Sequence, residues 1–319
     1  MRNLATPSPR RTGFTLIELL VAIAIIGILI GLLVPVVMVG NGTCPALTTT
    51  NELSNLDTAI QLFKTTYGVD YLPSQIKLCE QCSGYDLTQP LDKASVDFLT
   101  RVWPNLLRPD VSGNVPWMSS GIDWNANGAI DPPMILEGHQ CLVFFLGGAQ
   151  QRAPVFACLG FSSDPLDPIK LSQSQGRKGP FFEFPTARLG ICPGNAAGAN
   201  GLYLSFFNSY TQNSPPQFTG NPGDKPYAYF SNYGQRNGFN DPVNKKFPNA
   251  DCASLGVNPY YQGGVKGPQY LGGNTHQIIS AGMDRKFGPG GLWDKTKTPP
   301  LALDDQTNFS GGALLSGWQ

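Results

Sequence analysis

The sequence predicts an α+β protein that begins with a transmembrane helix. Residues 14–39 are apolar except for one charged side chain, Glu18. Residues 53–67 carry apolar side chains at helical spacing, and later apolar segments end in glycine turns. We therefore expect an amphipathic helix packed on a small antiparallel sheet, with a large loop-rich insertion at about residues 85–220.

The apolar run is long enough to cross a bilayer. As a helix, residues 14–39 would extend about 39 Å, against a hydrocarbon core of about 30 Å. Arg2, Arg10 and Arg11 precede the run without an acidic residue, so the positive-inside bias places the N-terminus in the cytoplasm and residues 40–319 outside. A cleaved secretory signal is disfavoured because its apolar region would be only about 7–15 residues long.

Composition excludes several functional classes. The chain has 22 basic and 22 acidic residues, so we expect no concentrated basic face and no nucleic-acid partner. Its 37 glycines and 28 prolines make up about a fifth of the residues, below the share typical of a disordered chain. The sequence contains no nucleophile elbow, zinc-protease motif, phosphate loop or dinucleotide fingerprint, and we expect no enzymatic activity.

Glu18 needs a physical explanation, because a charged carboxylate deep in a membrane costs about 2.5–3.5 kcal/mol. An uncleaved signal anchor would explain the length and orientation of the run but not this cost. The most economical partner is an amine at the same depth. Cleavage between Gly13 and Phe14 would create an α-amino group four residues before Glu18, available to pair with Glu18 of a neighbouring copy.

The segment GFTLIELLVAIAIIG resembles the class III signal of type IV pilins and type II secretion pseudopilins. The resemblance implies that prepilin peptidase cuts after Gly13 and methylates Phe14, and that Glu18 sets the register of a helical filament. Pro35 lies where pilins often have a helix-kinking proline, although it could equally mark the end of the membrane helix. The implied parts are a leader at 1–13, an assembly helix at 14–39 and a head at 40–319.

The function that this resemblance implies is that of a structural filament subunit. Its partners would be the peptidase, copies of itself and other pilins, an assembly platform protein and the inner membrane. The head would be periplasmic or extracellular. The alternative is a minor pilin whose large head binds a surface, a glycan or secreted cargo.

Glycines and a proline follow the membrane segment and predict a break in the helix. Gly40, Asn41, Gly42 and Pro45 disfavour helix, whereas pilins usually carry one long helix here. The sequence leaves open whether the head is rigidly attached or connected by a flexible neck.

A second helix is predicted beyond this break. Thr49 and Glu52 fit a capping box, and Gly68 fits a C-terminal cap. The core-facing stripe between them consists of Leu53, Leu56, Ile60, Phe63 and Tyr67.

Four later segments are predicted as strands. Two are the apolar runs CLVFFLGG (141–148) and GLYLSFF (201–207). The other two are DKPYAYFSNYG (224–234) and HQIISAGMDRKFG (276–288), which resemble the last strands of the pseudopilin sheet.

The segment DWNANGAID predicts a calcium-binding loop. Asp123, Asn125 and Asn127 alternate and Gly128 and Asp131 follow, a spacing that directs oxygen ligands to one point. The carbonyl of Ala129 would add one more ligand. The twelfth position is Met134 rather than a bidentate glutamate, so Glu137 would have to substitute. An Asx-rich turn without a cation uses the same residue types.

A second calcium site is implied by the resemblance alone. Major pseudopilins bind calcium in a loop after their last strand, and similarly placed residues here are Asp284, Asp304, Asp305 and Asn308. The interval between Asp284 and Asp304 is longer than in that family. A solvated polar tail would account for the same residues.

Seven cysteines in an exported chain favour disulfides. Cys79 and Cys82 form a C-x-x-C pair, for which we expect a small structural disulfide rather than half of a zinc site. The odd count leaves one thiol unpaired, and Cys44 is the expected one.

Overall fold

The structure is a computed structural model in which the chain forms two compact units, residues 1–45 and 46–319. The sheets and the hydrophobic cores lie in the second unit. The residues described by the structure are 16–151, 155–172, 176–192, 203–211, 216, 223–263, 267–293, 302–310 and 312–314.

The first helix, α1, runs without interruption over Leu16–Tyr67. The predicted break at residues 40–45 is therefore wrong, and α1 continues past Pro35 instead of ending there. Glycine costs only about 1 kcal/mol in a helix and proline about 3 kcal/mol, penalties that a helix of this length can absorb. Within the described residues, no helix combines the length and hydropathy that a membrane crossing requires.

Of the two ends predicted for the amphipathic segment of α1, the start is wrong and the end is confirmed. No helix starts at Thr49, whose hydroxyl lies 2.5 Å from the hydroxyl of Ser209. The predicted cap at Gly68 is confirmed. Gly68 has a φ of 64°, and the N–H of Val69 donates to the carbonyl of Lys64 at 3.0 Å. This bond closes the last helical turn, and only glycine adopts such a φ without cost.

The predicted apolar stripe of α1 is confirmed as core. Four of its side chains are at most 2% exposed, and Tyr67 is partly buried. The Phe63 ring lies 5.6 Å from that of Phe145 and 5.3 Å from that of Phe181. The fully buried members of the stripe are Leu53, Leu56, Ile60 and Phe63.

Three shorter α-helices are described after α1: α2 (Pro90–Val102), α3 (Pro116–Ser119) and α4 (Gly138–Gly147). Helix α4 corrects the prediction of a strand at 141–148. All ten of its residues are buried. Because every face of α4 is covered, its sequence has no one-sided periodicity, and a short apolar run of this kind resembles a buried strand.

Short strands complete the α+β fold. In chain order they are β1 (Ile76–Leu78), β2 (Met134–Leu136), β3 (Gln150–Gln151), β4 (Ala157–Cys158), β5 (Phe161–Ser162), β6 (Arg177–Lys178), β7 (Leu189–Ile191), β8 (Leu204–Phe206), β9 (Ala228–Ser231), β10 (Tyr260–Gln262), β11 (Gln269–Tyr270), β12 (His276–Ser280), β13 (Gly291–Leu292), β14 (Gln306–Thr307) and β15 (Gly312–Ala313). Strands β8, β9 and β12 confirm three of the four strand predictions.

The largest sheet is antiparallel, with the strand order β15–β14–β12–β9. A three-stranded sheet has the order β11–β10–β13, in which β10 and β13 are parallel. Strand β1 pairs antiparallel with β2, placing Leu78 opposite Met134. This pairing brings the residues that follow β1 close to the residues that precede β2.

The predicted insertion packs on α1 and does not form a separate body. Arg188, which lies within the insertion, forms a two-pronged ion pair with Glu52 of α1. The Tyr227 hydroxyl donates to the same carboxylate at 2.6 Å. Glu52 is only 9% exposed, so two donors satisfy a nearly buried charge and join α1, the insertion and the segment before β9.

A second buried acid, Asp251, connects the segment before β1 to a later loop. Its carboxylate accepts hydrogen bonds from the Ser74 hydroxyl at 2.5 Å, the Tyr233 hydroxyl at 3.0 Å and the Asn240 amide at 2.9 Å. Burial raises the pKa of Asp251 to about 7, because the hydrogen bonds only partly offset the loss of water around the charge.

We expect Phe63→Ala to lower the free energy of unfolding by about 3–5 kcal/mol, because it empties part of the core. Leu62→Ala is the matched control on the same helix: its side chain is 53% exposed, and a change within about 0.5 kcal/mol is expected. Denaturant unfolding of the full chain in a mild detergent, followed by tryptophan fluorescence, measures both. Equal losses in the two variants would contradict the assignment of this helix face to the core.

We also expect Asp251 to make stability depend on pH. Between its ordinary pKa of 3.8 and about 7 the folded state retains a proton that the unfolded state has lost. Stability should therefore fall as pH rises through this window, by up to about 1.4 kcal/mol per pH unit for one proton. Unfolding curves at several pH values should show a shallower slope for Asp251→Asn and an unchanged slope for Asp97→Asn, an exposed control.

Candidate functional site

The D-x-N-x-N-G segment forms a tight loop between α3 and β2. Both carboxylate oxygens of Asp123 accept backbone N–H groups, from Asn127 at 3.1 Å and from Gly128 at 2.6 Å. Positive φ angles at Ala126 (55°) and Gly128 (82°) turn the chain around this carboxylate. The loop therefore has the curvature that the spacing of its residues predicts.

The structure brings the four predicted side chains of this loop together. Asp131 Oδ2 accepts hydrogen bonds from the amide nitrogens of Asn125 at 2.6 Å and Asn127 at 2.7 Å. The side-chain oxygen of Asn125 accepts the backbone N–H of Asn127 at 3.0 Å. Asp123, Asn125, Asn127 and Asp131 thus form one connected polar cluster.

Glu137 does not join this cluster, so its predicted role as the missing ligand is wrong. It precedes α4, and its carboxylate accepts the backbone N–H of Ser254 at 3.0 Å and the Ser254 hydroxyl at 2.6 Å. It also forms a capping box with Gln140 at the start of α4. Met134, at the twelfth position, is buried in β2.

Glu80 contacts the loop instead, two residues after the end of β1. Its Oε2 accepts the backbone N–H of Asp131 at 2.9 Å, and its carbonyl accepts the N–H of Ile122 at 2.8 Å. The residue is 2% exposed. Burial, together with the negative charges of Asp123 and Asp131, raises the pKa of Glu80 to about 7. Sequence spacing missed Glu80 because the pairing of β1 with β2 is what brings it to the loop.

Of the four residues predicted near the C-terminus, the three acids are brought together and Asn308 is not. Asp304 Oδ2 accepts the backbone N–H of Asp284 at 2.8 Å. Asp305 is fully buried, and burial with the charges of Asp304 and Asp284 raises its pKa to about 7. Asn308 is engaged elsewhere, since its side-chain oxygen accepts the N–H of Ile278 in β12 at 2.9 Å.

The three C-terminal acids fit a cation in charge and donor type. Asp305 Oδ2 accepts the Tyr260 hydroxyl and the Gly288 N–H, both at 2.9 Å. Its Oδ1 is buried and has no partner in the part of the chain that the structure describes. Among all the residues that the structure describes, however, no three His, Cys, Asp or Glu side chains already converge as a metal cluster.

The predicted disulfide between Cys79 and Cys82 is not supported, because both are free thiols. Burial raises the pKa of the Cys79 thiol to about 11, so little reactive thiolate forms there at neutral pH. The Cys79 carbonyl accepts the indole N–H groups of Trp117 and Trp124, each at 3.0 Å. The side chain of Cys44 lies outside the described residues.

The residues predicted for processing and assembly fall outside the part of the chain whose side chains the structure describes. Gly13 and Phe14 lie outside the described residues, as do the side chains of Glu18 and Pro35. Their identification rests on the similarity of the N-terminal sequence to a known protein family.

Residues 8–34 match the family model described as the prokaryotic N-terminal methylation motif. The chain carries the type IV pilin and pseudopilin signal. The match covers Gly13, Phe14 and Glu18, which confirms the resemblance found in the sequence. Comparison with curated proteins and with solved structures gave no match for the chain.

Proposed function

We propose that this protein is a structural subunit of a type IV pilus-like or type II secretion pseudopilus filament. The match of residues 8–34 to the pilin signal carries the proposal. Prepilin peptidase would cut between Gly13 and Phe14 and methylate the new N-terminus. Before assembly the subunit would sit in the inner membrane with its N-terminus in the cytoplasm and its head outside, as the basic leader favours.

Electrostatics explains why a filament subunit needs Glu18. Within residues 14–39 it is the one charged side chain, and the leader contains no amine at the matching depth. Cleavage supplies that amine at Phe14, so an incoming subunit can neutralise Glu18 of its neighbour only after processing. Small residues on the same segment would allow close helix packing in the filament: Ala22, Ala24, Gly27 and Gly31.

The head has a structural role in this proposal, without catalysis. Its partners would be copies of this chain, other pilins and an assembly platform protein. The second candidate function is that of a minor pilin whose head binds a surface, a glycan or secreted cargo, and the size of the unit at residues 46–319 favours it. The share of the protein in sheared filaments separates the two, because a major subunit would dominate them.

The first test of this proposal is the mature N-terminus. We expect mass spectrometry of the membrane-extracted protein to find N-methyl-phenylalanine at Phe14, and Gly13→Val to leave the leader attached. An unmodified chain that still begins at Met1 in cells with an active peptidase would overturn the processing step and the filament proposal with it.

The second test is the acid in the apolar segment. Glu18→Val should be inserted and cleaved normally yet yield filaments about tenfold or more scarcer, because loss of one partner of a buried charge pair costs about 2–5 kcal/mol. Ile17→Val is the matched neighbour that keeps the acid and should assemble normally. Filament counts by electron microscopy measure the difference, and wild-type counts for Glu18→Val would remove the pairing argument.

A further inference from the structure

We propose that Glu80 completes a calcium site with the Asp123–Asp131 loop. This inference is independent of the filament proposal, since it concerns the head alone. Glu80 would supply the carboxylate ligand that the loop sequence lacks. It lies 43 positions before Asp123, and the pairing of β1 with β2 brings it to the loop.

The first argument is an unsatisfied oxygen. Glu80 is 2% exposed, and its Oε2 accepts the N–H of Asp131 at 2.9 Å. Its Oε1 is buried and has no hydrogen-bond partner among the described residues. A buried acceptor without a partner costs about 1–3 kcal/mol, and more when it is charged. The Oε1 oxygen of Glu80 is therefore free to coordinate a cation beside the loop.

The second argument is unbalanced charge. Asp123, Asp131 and Glu80 are linked by hydrogen bonds, since Asn127 donates to both aspartates and the N–H of Asp131 donates to Glu80. None of the three forms an ion pair with a lysine, arginine or histidine in the described ranges. Three acids around one loop repel each other, and a divalent cation would remove that repulsion.

The third argument is the arrangement of the two amides. The amide nitrogens of Asn125 and Asn127 both donate to Asp131 Oδ2, and so occupy the side of that carboxylate where a cation would bind. An amide has the same shape after half a turn, which would present its oxygen instead of its nitrogen. The same rotation would break the hydrogen bonds that the side-chain oxygens of Asn125 and Asn127 accept from the N–H groups of Asn127, at 3.0 Å, and Ala129, at 2.8 Å, so coordination of the cation would have to replace them.

The donor set selects calcium over other common metals. The loop and Glu80 would supply three carboxylates, two amide oxygens and the carbonyl of Ala129, with no imidazole or thiolate among them. Among the described residues no three acids already converge on a metal position, so binding would have to draw these carboxylates together. Calcium takes about 6–8 oxygen ligands in flexible geometry, whereas zinc prefers nitrogen and sulfur, and magnesium demands near-ideal octahedral geometry. Binding would fasten the end of β1 to the loop before β2.

The test uses Tb³⁺ as a luminescent substitute for Ca²⁺, because the indole of Trp124 lies within the loop and can sensitise it. The full chain in mild detergent is studied in an Asp284→Asn background, which removes one of the three C-terminal acids and so weakens the second source of signal. We expect saturable Tb³⁺ luminescence that Ca²⁺ displaces. Calorimetry with Ca²⁺ alone measures the same affinity without the probe.

Two substitutions in that background decide the role of Glu80. Glu80→Gln keeps the shape and an acceptor for the Asp131 N–H, yet should weaken Ca²⁺ binding by about tenfold or more, because ligand charge sets calcium affinity. Glu137→Gln, the matched control, should bind as the background does. Circular dichroism in chelator shows whether each variant is folded. If Glu80→Gln is not, Glu80→Asp replaces it, because the shorter side chain withdraws the carboxylate from the loop and should also weaken Ca²⁺ binding.

Three results would overturn the proposal. The first is the absence of displaceable Tb³⁺ luminescence in the Asp284→Asn background. The second is unchanged Ca²⁺ affinity in Glu80→Gln, which would leave the loop to bind without this residue. The third is an equal loss of affinity in Glu80→Gln and Glu137→Gln, which would indicate a general effect on the fold.

Discussion

The head depends on the burial of one face of α1. Leu56, Ile60 and Phe63 are fully buried, and aromatic side chains of the insertion, including Phe145 of α4, pack around them. Burying such side chains is worth about 1.5–3 kcal/mol each, so this face is a major source of stability. The ion pair of Glu52 with Arg188 also fixes how the insertion is oriented on α1, because a nearly buried carboxylate tolerates only a narrow range of donor positions.

The polar chemistry of the head is organised by strand pairing. Strand β1 ends two residues before Glu80, and β2 begins three residues after Asp131, so their antiparallel register sets the distance between the two acids. The short strands are therefore important beyond their few backbone hydrogen bonds. They bring like charges together in a place where burial makes repulsion expensive.

Local patterns in the sequence were sufficient for part of this structure. The stripe of α1, its cap at Gly68 and strands β9 and β12 follow from spacing and turn residues alone. The continuity of α1 through residues 40–45 was missed because intrinsic helix propensities are weak and context overrides them. Helix α4 was mistaken for a strand because a segment buried on all sides carries no periodic signal.

The candidate site likewise combines residues of one turn, which the sequence predicts, with residues of distant segments, which it does not. The cluster of Asp123, Asn125, Asn127 and Asp131 was predictable because all four lie in one turn. Glu80 was missed and Glu137 was assigned incorrectly, since their positions depend on a strand pairing and a helix start that no spacing reveals. Likewise, Asn308 was grouped with Asp284 from similarity of position, whereas the structure uses it to hold β12.

Because the predicted insertion and the α1 stripe share one apolar interior, residues 85–220 are not a separable addition to the rest of the head. Trimming residues 85–220 would expose the inner surface of what remains. An engineered minimal version should therefore shorten the outer loops and leave the shared interior intact.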